Sequence, residues 1–206
     1  MKPEEIGVFW DSWAAGLVAG SEFEGSYLDV LGISEENRMG VCGTSAAWWA
    51  NDETGKLQKM LNSSTRTWLM WIGGNDLLTL IEHKKHVVPD DWLQVKDNIR
   101  RILELCSLWG KQLCIGIYPD CLLDDTMKLE VDRMNRVLLL ATSFLVWPRQ
   151  APKFFVPGLT REHFEPGDMH PTKQGHWVLA QEFTEFLAAA AFDGGNDDKD
   201  SEDGRD

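Results

Sequence analysis

The chain has 206 residues, of which 43% are hydrophobic, and a formal net charge of -13. This length and apolar content fit one medium domain with a real core rather than two domains. A balance this acidic argues against nucleic acid as a partner, because phosphate binding needs a positive surface, and no apolar run is long enough to span a bilayer.

Part of the charge is local. The last stretch, "DGGNDDKDSEDGRD" from Asp193, holds seven acids and two bases and no apolar residue. It reads as a solvated, disordered tail, residues 193–206, behind a folded domain spanning residues 1–192. The N-terminus "MKPEEIGVFW" lacks the apolar core of a secretory signal, so the expected location is cytoplasmic. Cys42, Cys106, Cys114 and Cys121 lack the CxxC spacing of a metal site. Cys42, Cys106 and Cys114 read as reduced core thiols, and no metal is expected.

Apolar runs alternate with segments of helical period, the pattern of a parallel sheet covered by helices. "IGVFW" (6–10) reads as a first buried strand. "SYLDVLG" (26–32) reads as a short helix capped by Ser26 and stopped by Gly32. "NRMGVCG" (37–43) is a weaker strand. "TSAAWWANDETGKLQKML" (44–61) is helical with a break near Gly55. "RTWLMWIGG" (66–74) is a strong strand ending at paired glycines, and 77–89 is ambiguous. The clearest helix is 90–110, with Asp90 at its N-cap, Val95, Ile99, Ile102 and Cys106 at helical spacing, and Gly110 closing it. A strand over 112–119, a helix over 124–144, a fifth strand at 153–156 and a last helix over 171–192 with Pro171 near its first turn complete the order.

Sites in such folds lie beyond the carboxyl ends of the strands. That rule singles out Asp11-Ser12, Gly43, Gly73 to Asp76, and the loop before the last helix. A serine hydroxyl becomes a nucleophile when a base takes its proton, and histidine is the usual base near neutral pH. A tetrahedral intermediate needs preorganised N–H donors for its oxyanion. Ser12 is expected at a helix start, Gly43 offers a bare backbone N–H, Asn75 offers a side-chain amide, and His170 lies before the last helix. Taken singly, each has a structural explanation: a cap, a turn, a loop. His176 reads as a structural histidine on the last helix, and His83, His86 and His163 read as surface histidines. Ten tryptophans are many for this length. Most belong in the core, but a cluster can also line an apolar pocket.

In combination these blocks resemble the SGNH hydrolase superfamily, the GDSL esterases and lipases, from residue 6 to about residue 190. "WDSWAAG" is similar to the family's Gly-Asp-Ser block, with Asp11, Ser12 and Gly16 in place. "GVCGTS" (40–45) is similar to the second block, "GGND" matches the third, and "GDMHPTKQGHWVLA" matches the last in part. "YP" after the fourth strand and Asn135 are further family features. The resemblance implies a flavodoxin-like three-layer α/β/α sandwich on a five-stranded parallel sheet. It implies Ser12 as nucleophile, His170 as base and then acid, and the Ser12 N–H, Gly43 N–H and Asn75 amide as oxyanion hole. It implies a small-molecule ester substrate and no cofactor.

Two departures stand out. Trp10 replaces the glycine before the Asp-Ser pair, where it would crowd the strand end or, with Trp13, line an acyl pocket. The family's aspartate stands three residues before the histidine, and here that position is Gly167, with Asp168 two before His170. A shifted loop can bring Asp168 to His170, a backbone carbonyl can replace the carboxylate, or the base is left poorly oriented. The first is favoured, since triads are recognised by geometry and not by sequence spacing. The departures motivate a second reading, a binding or scaffold protein that keeps the fold with weak or no catalysis. A flavin binder is disfavoured, because no run of hydroxyl residues follows the first strand to cradle a phosphate.

Overall fold

The structure, a computed structural model, describes residues 2–20, 23–52, 54–83, 90–121, 128–143, 145, 147 and 151–190. Five parallel strands, β1 (Gly7–Trp10), β2 (Arg38–Gly40), β3 (Thr67–Trp71), β4 (Gln112–Gly116) and β5 (Lys153–Phe155), form one sheet in the order β2-β1-β3-β4-β5. The helices are α1 (Tyr27–Val30), α2 (Ala46–Asn51), α3 (Lys56–Asn62), α4 (Gly74–His83), α5 (Asp91–Leu108), α6 (Lys128–Thr142) and α7 (Lys173–Ala189). Helix α1 packs on α7, while α2, α4, α5 and α6 pack among themselves. The result is a three-layer α/β/α sandwich of flavodoxin-like order, whose ligand sites fall at the carboxyl edge of the sheet.

Every residue of β1, β3 and β4 is buried, which is why their sequences are apolar runs without alternation. The tryptophans fit because glycines stand opposite them. Gly7 pairs with Trp68 and Gly116 with Trp71, and a Cβ on either glycine would meet the facing indole at 2.3 and 2.4 Å. Trp10, Trp13, Trp49, Trp68, Trp71 and Trp92 are all buried, whereas Trp109 and Trp177 are about half exposed.

The expected helix over 44–61 is two helices. Asp52 adopts φ +46°, ends α2, and its carboxylate accepts from Leu57 N at 2.8 Å and Gln58 N at 2.9 Å, capping α3. Asp90 stands at the N-cap of α5 without a side-chain cap bond. The ambiguous segment 77–89 is helical to His83, and the rest lies outside the described residues. Helix α7 starts at Lys173, two residues after Pro171, because Thr172 is the N-cap, its hydroxyl accepting from Gly175 N at 3.2 Å. Two burial expectations are corrected. Cys42 is exposed, since β2 is a short edge strand that ends before it, and His163 is buried, its Nδ1 accepting from Thr160 N at 2.9 Å. Residues 124–127 and 144 of the helix expected over 124–144, His86, and the acidic tail lie outside the described residues. No described helix is long and apolar enough to cross a membrane.

Candidate active site

Ser12 follows β1 in a single helical turn closed by Ala15 N to Asp11 O at 2.9 Å. The turn is not continued, so Ser12 does not start a helix as expected. What shapes the turn instead is Asp11. Its Oδ1 accepts from Trp13 N at 2.9 Å, and its Oδ2 accepts from the Tyr118 hydroxyl on the loop after β4. The group is fully buried, and burial raises its pKa to about 7 against the opposing pull of Tyr118 and the Trp13 and Ala14 N–H groups. Asp76 adds a smaller like-charge push in the same direction.

Beneath this turn the "GGND" segment joins β3 to α4. A Cβ on Gly74 would lie 3.1 Å from the Tyr118 hydroxyl and 3.2 Å from Asp11 Oδ2, so a larger residue there would press on the Asp11–Tyr118 pair. The Asn75 side-chain amide donates to Thr44 O at 3.0 Å, and Asp76 accepts from Ala46 N at 2.9 Å. Both bonds hold the loop after β2, which carries Gly43 at φ +76°. Asp76 is buried, and this lifts its pKa to about 6, with the Ala46 N–H and its own N–H pulling the other way.

The opposite wall is the loop before α7. Phe164 and Pro171 form an antiparallel bridge, and Asp168 N donates to Glu165 O at 3.1 Å, with Gly167 at φ +83° in the turn. A glycine at the family's aspartate position therefore fits the backbone the turn needs. One oxygen of Asp168, Oδ1, accepts from His170 N at 2.9 Å and lies 2.8 Å from His170 Nδ1. The other, Oδ2, accepts from Gly20 N at 3.1 Å. Partial burial works to raise the Asp168 pKa, but these N–H donors and the His170 ring outweigh it and hold the carboxyl below its usual range. His170 Nε2 lies 2.9 Å from Ser12 Oγ. With Nδ1–H donating to the carboxylate, Nε2 is left to accept a hydrogen bond from the Ser12 hydroxyl.

The two loops are laced together along their length. Trp13 Nε1 donates to Met169 O at 3.2 Å and Ala19 N to Pro171 O at 3.0 Å. His176 Nδ1 accepts from Tyr27 N at 3.1 Å, which leaves Nε2–H to donate to Leu17 O at 3.1 Å. Burial lowers the His176 pKa to about 4, so it is a neutral structural histidine.

Trp10 does not reach this site. It is fully buried, stacked on Trp49 at 5.4 Å between ring centroids, and its Nε1 has no hydrogen-bond partner among the described residues. It also takes φ +118°, a conformation suited to glycine. The expectation that it lines an acyl pocket is therefore corrected, because its ring turns into the core. Trp13 does line the cavity beside Ser12, together with Asp11, Gly74, Asn75, Tyr118 and Met169. Tyr118 and Met169 were not singled out as site residues from the sequence. The "YP" pair marked the first without its partner, and the second is the residue between Asp168 and His170. Among the described residues no cluster of His, Cys, Asp and Glu has the arrangement of a metal site.

Solved structures of ester hydrolases, a lipolytic G-D-S-L protein among them, share this fold. The chain is similar to a member of the lipolytic G-D-S-L family from Veillonella parvula, with a TM-score of 0.63 at 18% identity, covering 89% of this chain and 97% of that one. It is similar to Axe2, an acetylxylan esterase from Geobacillus stearothermophilus, with a TM-score of 0.61 at 16% identity, covering 93% and 95%. A family 3 carbohydrate esterase from Clostridium thermocellum aligns with a TM-score of 0.58 at 16% identity, covering 91% and 98%. No family model matches the chain, and no curated protein matches it by sequence.

Proposed function

We propose that this chain is a serine esterase of the SGNH type that hydrolyses carboxylic esters through an acyl-Ser12 intermediate. The observation that carries the reading is the continuous line Asp168 Oδ1, His170 Nδ1, His170 Nε2, Ser12 Oγ, with contacts of 2.8 and 2.9 Å. The ester-hydrolysing neighbours of the same fold support it.

Ser12 Oγ attacks the ester carbonyl as its proton passes to His170 Nε2. Asp168, charged and hydrogen-bonded to Nδ1, stabilises the imidazolium that forms. The oxyanion is received by the Ser12 and Gly43 N–H groups and by Asn75. The Asn75 amide has two N–H bonds, and Thr44 O takes one, leaving the other for the oxyanion. Collapse breaks the bond to the leaving alkoxide, which takes the proton from His170. Water then gives a proton to His170 and its oxygen to the acyl carbon, and Ser12 is released with its proton returned.

Hydrolysis of p-nitrophenyl acetate tests the proposal. Ser12→Ala and His170→Ala should each lose about 10^4-fold or more in kcat, and the double variant little more, because the residues act as a unit. Equal rates in wild type and Ser12→Ala would remove Ser12 as nucleophile.

A further inference from the structure

The esterase reading leaves the acyl group open, and the cavity beside Ser12 narrows it. Resting on that reading, we propose that Trp13, Tyr118 and Met169 limit the acyl group to acetyl, with Met169 as the wall that sets the limit. The part of the cavity that the centre of a water-sized sphere can reach is about 10 Å³, room for about one water molecule. A methyl group is of that size, and a propyl chain is not. The leaving alcohol has to meet His170 Nε2, and His170 does not line this cavity, so the alcohol lies elsewhere. The acyl group stays bonded to Ser12 through both halves of the reaction, and Asn75, the side-chain donor proposed for its carbonyl oxygen, lines the same cavity.

The walls differ in stiffness. Trp13 is buried, its ring centroid 4.9 Å from that of Trp71 and 5.2 Å from that of Tyr118. Tyr118 is buried and held by Asp11. Neither can yield without disturbing the core. Met169 is half-buried and carries a flexible unbranched side chain. Its backbone is tied to the indole of Trp13 at 3.2 Å. The residue between the acid and the base thus forms the flexible wall of the cavity, and the Trp13 indole N–H holds its backbone carbonyl in place.

The experiment compares kcat/KM for p-nitrophenyl acetate, propionate, butyrate and hexanoate, with the Ser12→Ala rate subtracted. The wild type should lose at least about tenfold from acetate to butyrate. Met169→Ala should raise the butyrate-to-acetate ratio by about tenfold. Trp13→Phe keeps a ring in the core but removes the indole N–H, and should shift the ratio in the same direction by less. A wild type that turns over butyrate as well as acetate overturns the proposal. So does a ratio that moves in neither variant. Hydrolysis that needs Ser12 but ignores chain length leaves the esterase reading standing and removes only the size limit. Hydrolysis that survives Ser12→Ala removes both.

Discussion

The turn after β1 and the loop before α7 meet at Ser12, and each holds an aspartate in a different state. Asp11 is buried, shares its oxygens with Tyr118 and Trp13 N, and has its pKa raised to about 7. Asp168 is partly exposed, accepts from three N–H groups, and has its pKa held low. Two identical side chains thus have different uses. One is a brace whose charge is disfavoured, and the other is a lasting anion that can face an imidazolium. Environment, not residue type, separates scaffold from candidate catalyst.

The sharpest way to break that comparison is to substitute each aspartate and measure both activity and stability. Asp168→Asn should lower kcat on p-nitrophenyl acetate by about 10^3-fold or more, since the wrong imidazole tautomer is favoured, with little change in urea midpoint. A loss much smaller than for His170→Ala would remove Asp168 from the triad.

The titration of Asp11 gives the next largest effect. Its folded pKa of about 7 lies above the ordinary 3.8, so the native state binds more protons than the unfolded chain between those values. Stability contributed by this group is therefore lost as pH rises from about 4 to about 7, by up to about 4 kcal/mol. Asp76, raised to about 6, acts with the same sign, whereas His176, lowered to about 4, adds stability as pH rises from about 4 to 6.5. The readout is thus the difference between Asp11→Asn and wild type. The variant's unfolding free energy should gain on the wild type by a few kcal/mol between pH 4.5 and 7.5. A constant difference would mean that Asp11 titrates normally.

At a fixed pH near 5, Asp11→Ala leaves the Tyr118 hydroxyl and Trp13 N–H buried without their acceptor. It should cost about 2–4 kcal/mol in urea unfolding. The same substitution at Asp168, whose donors are nearer solvent, should cost under about 1 kcal/mol.

A net effect smaller than that of Asp11→Ala belongs to the strand end itself. Trp10→Gly relieves about 1–3 kcal/mol of strain from φ +118° but removes a fully buried indole worth about 3–5 kcal/mol. A net loss of about 2 kcal/mol is expected. A gain in stability would show that the strain dominates.

Much of the fold could be read from local pattern. "TWLMW" and "QLCIG" are apolar runs because both faces of β3 and β4 are covered, and the "GGND" turn follows from its glycines and the end of a strand. What escaped the sequence are contacts between distant residues. Asp11 and Tyr118 are 107 positions apart, and Trp13 and Met169 are 156 apart. No periodicity encodes such pairs. Trp10 misled for a related reason. Its place beside Asp11-Ser12 says nothing of the backbone angle that turns its ring into the core. The D-x-H spacing of Asp168 and His170 was legible as an anomaly, but the turn at Gly167 that accommodates it was not.

The central claim, that His170 activates Ser12, is tested most directly by labelling with a fluorophosphonate and mapping the adduct by mass spectrometry. The account predicts a single adduct on Ser12 in the wild type, slowed strongly in Asp168→Asn and abolished in His170→Ala. An unlabelled Ser12, or labelling that proceeds equally fast in His170→Ala, would contradict it.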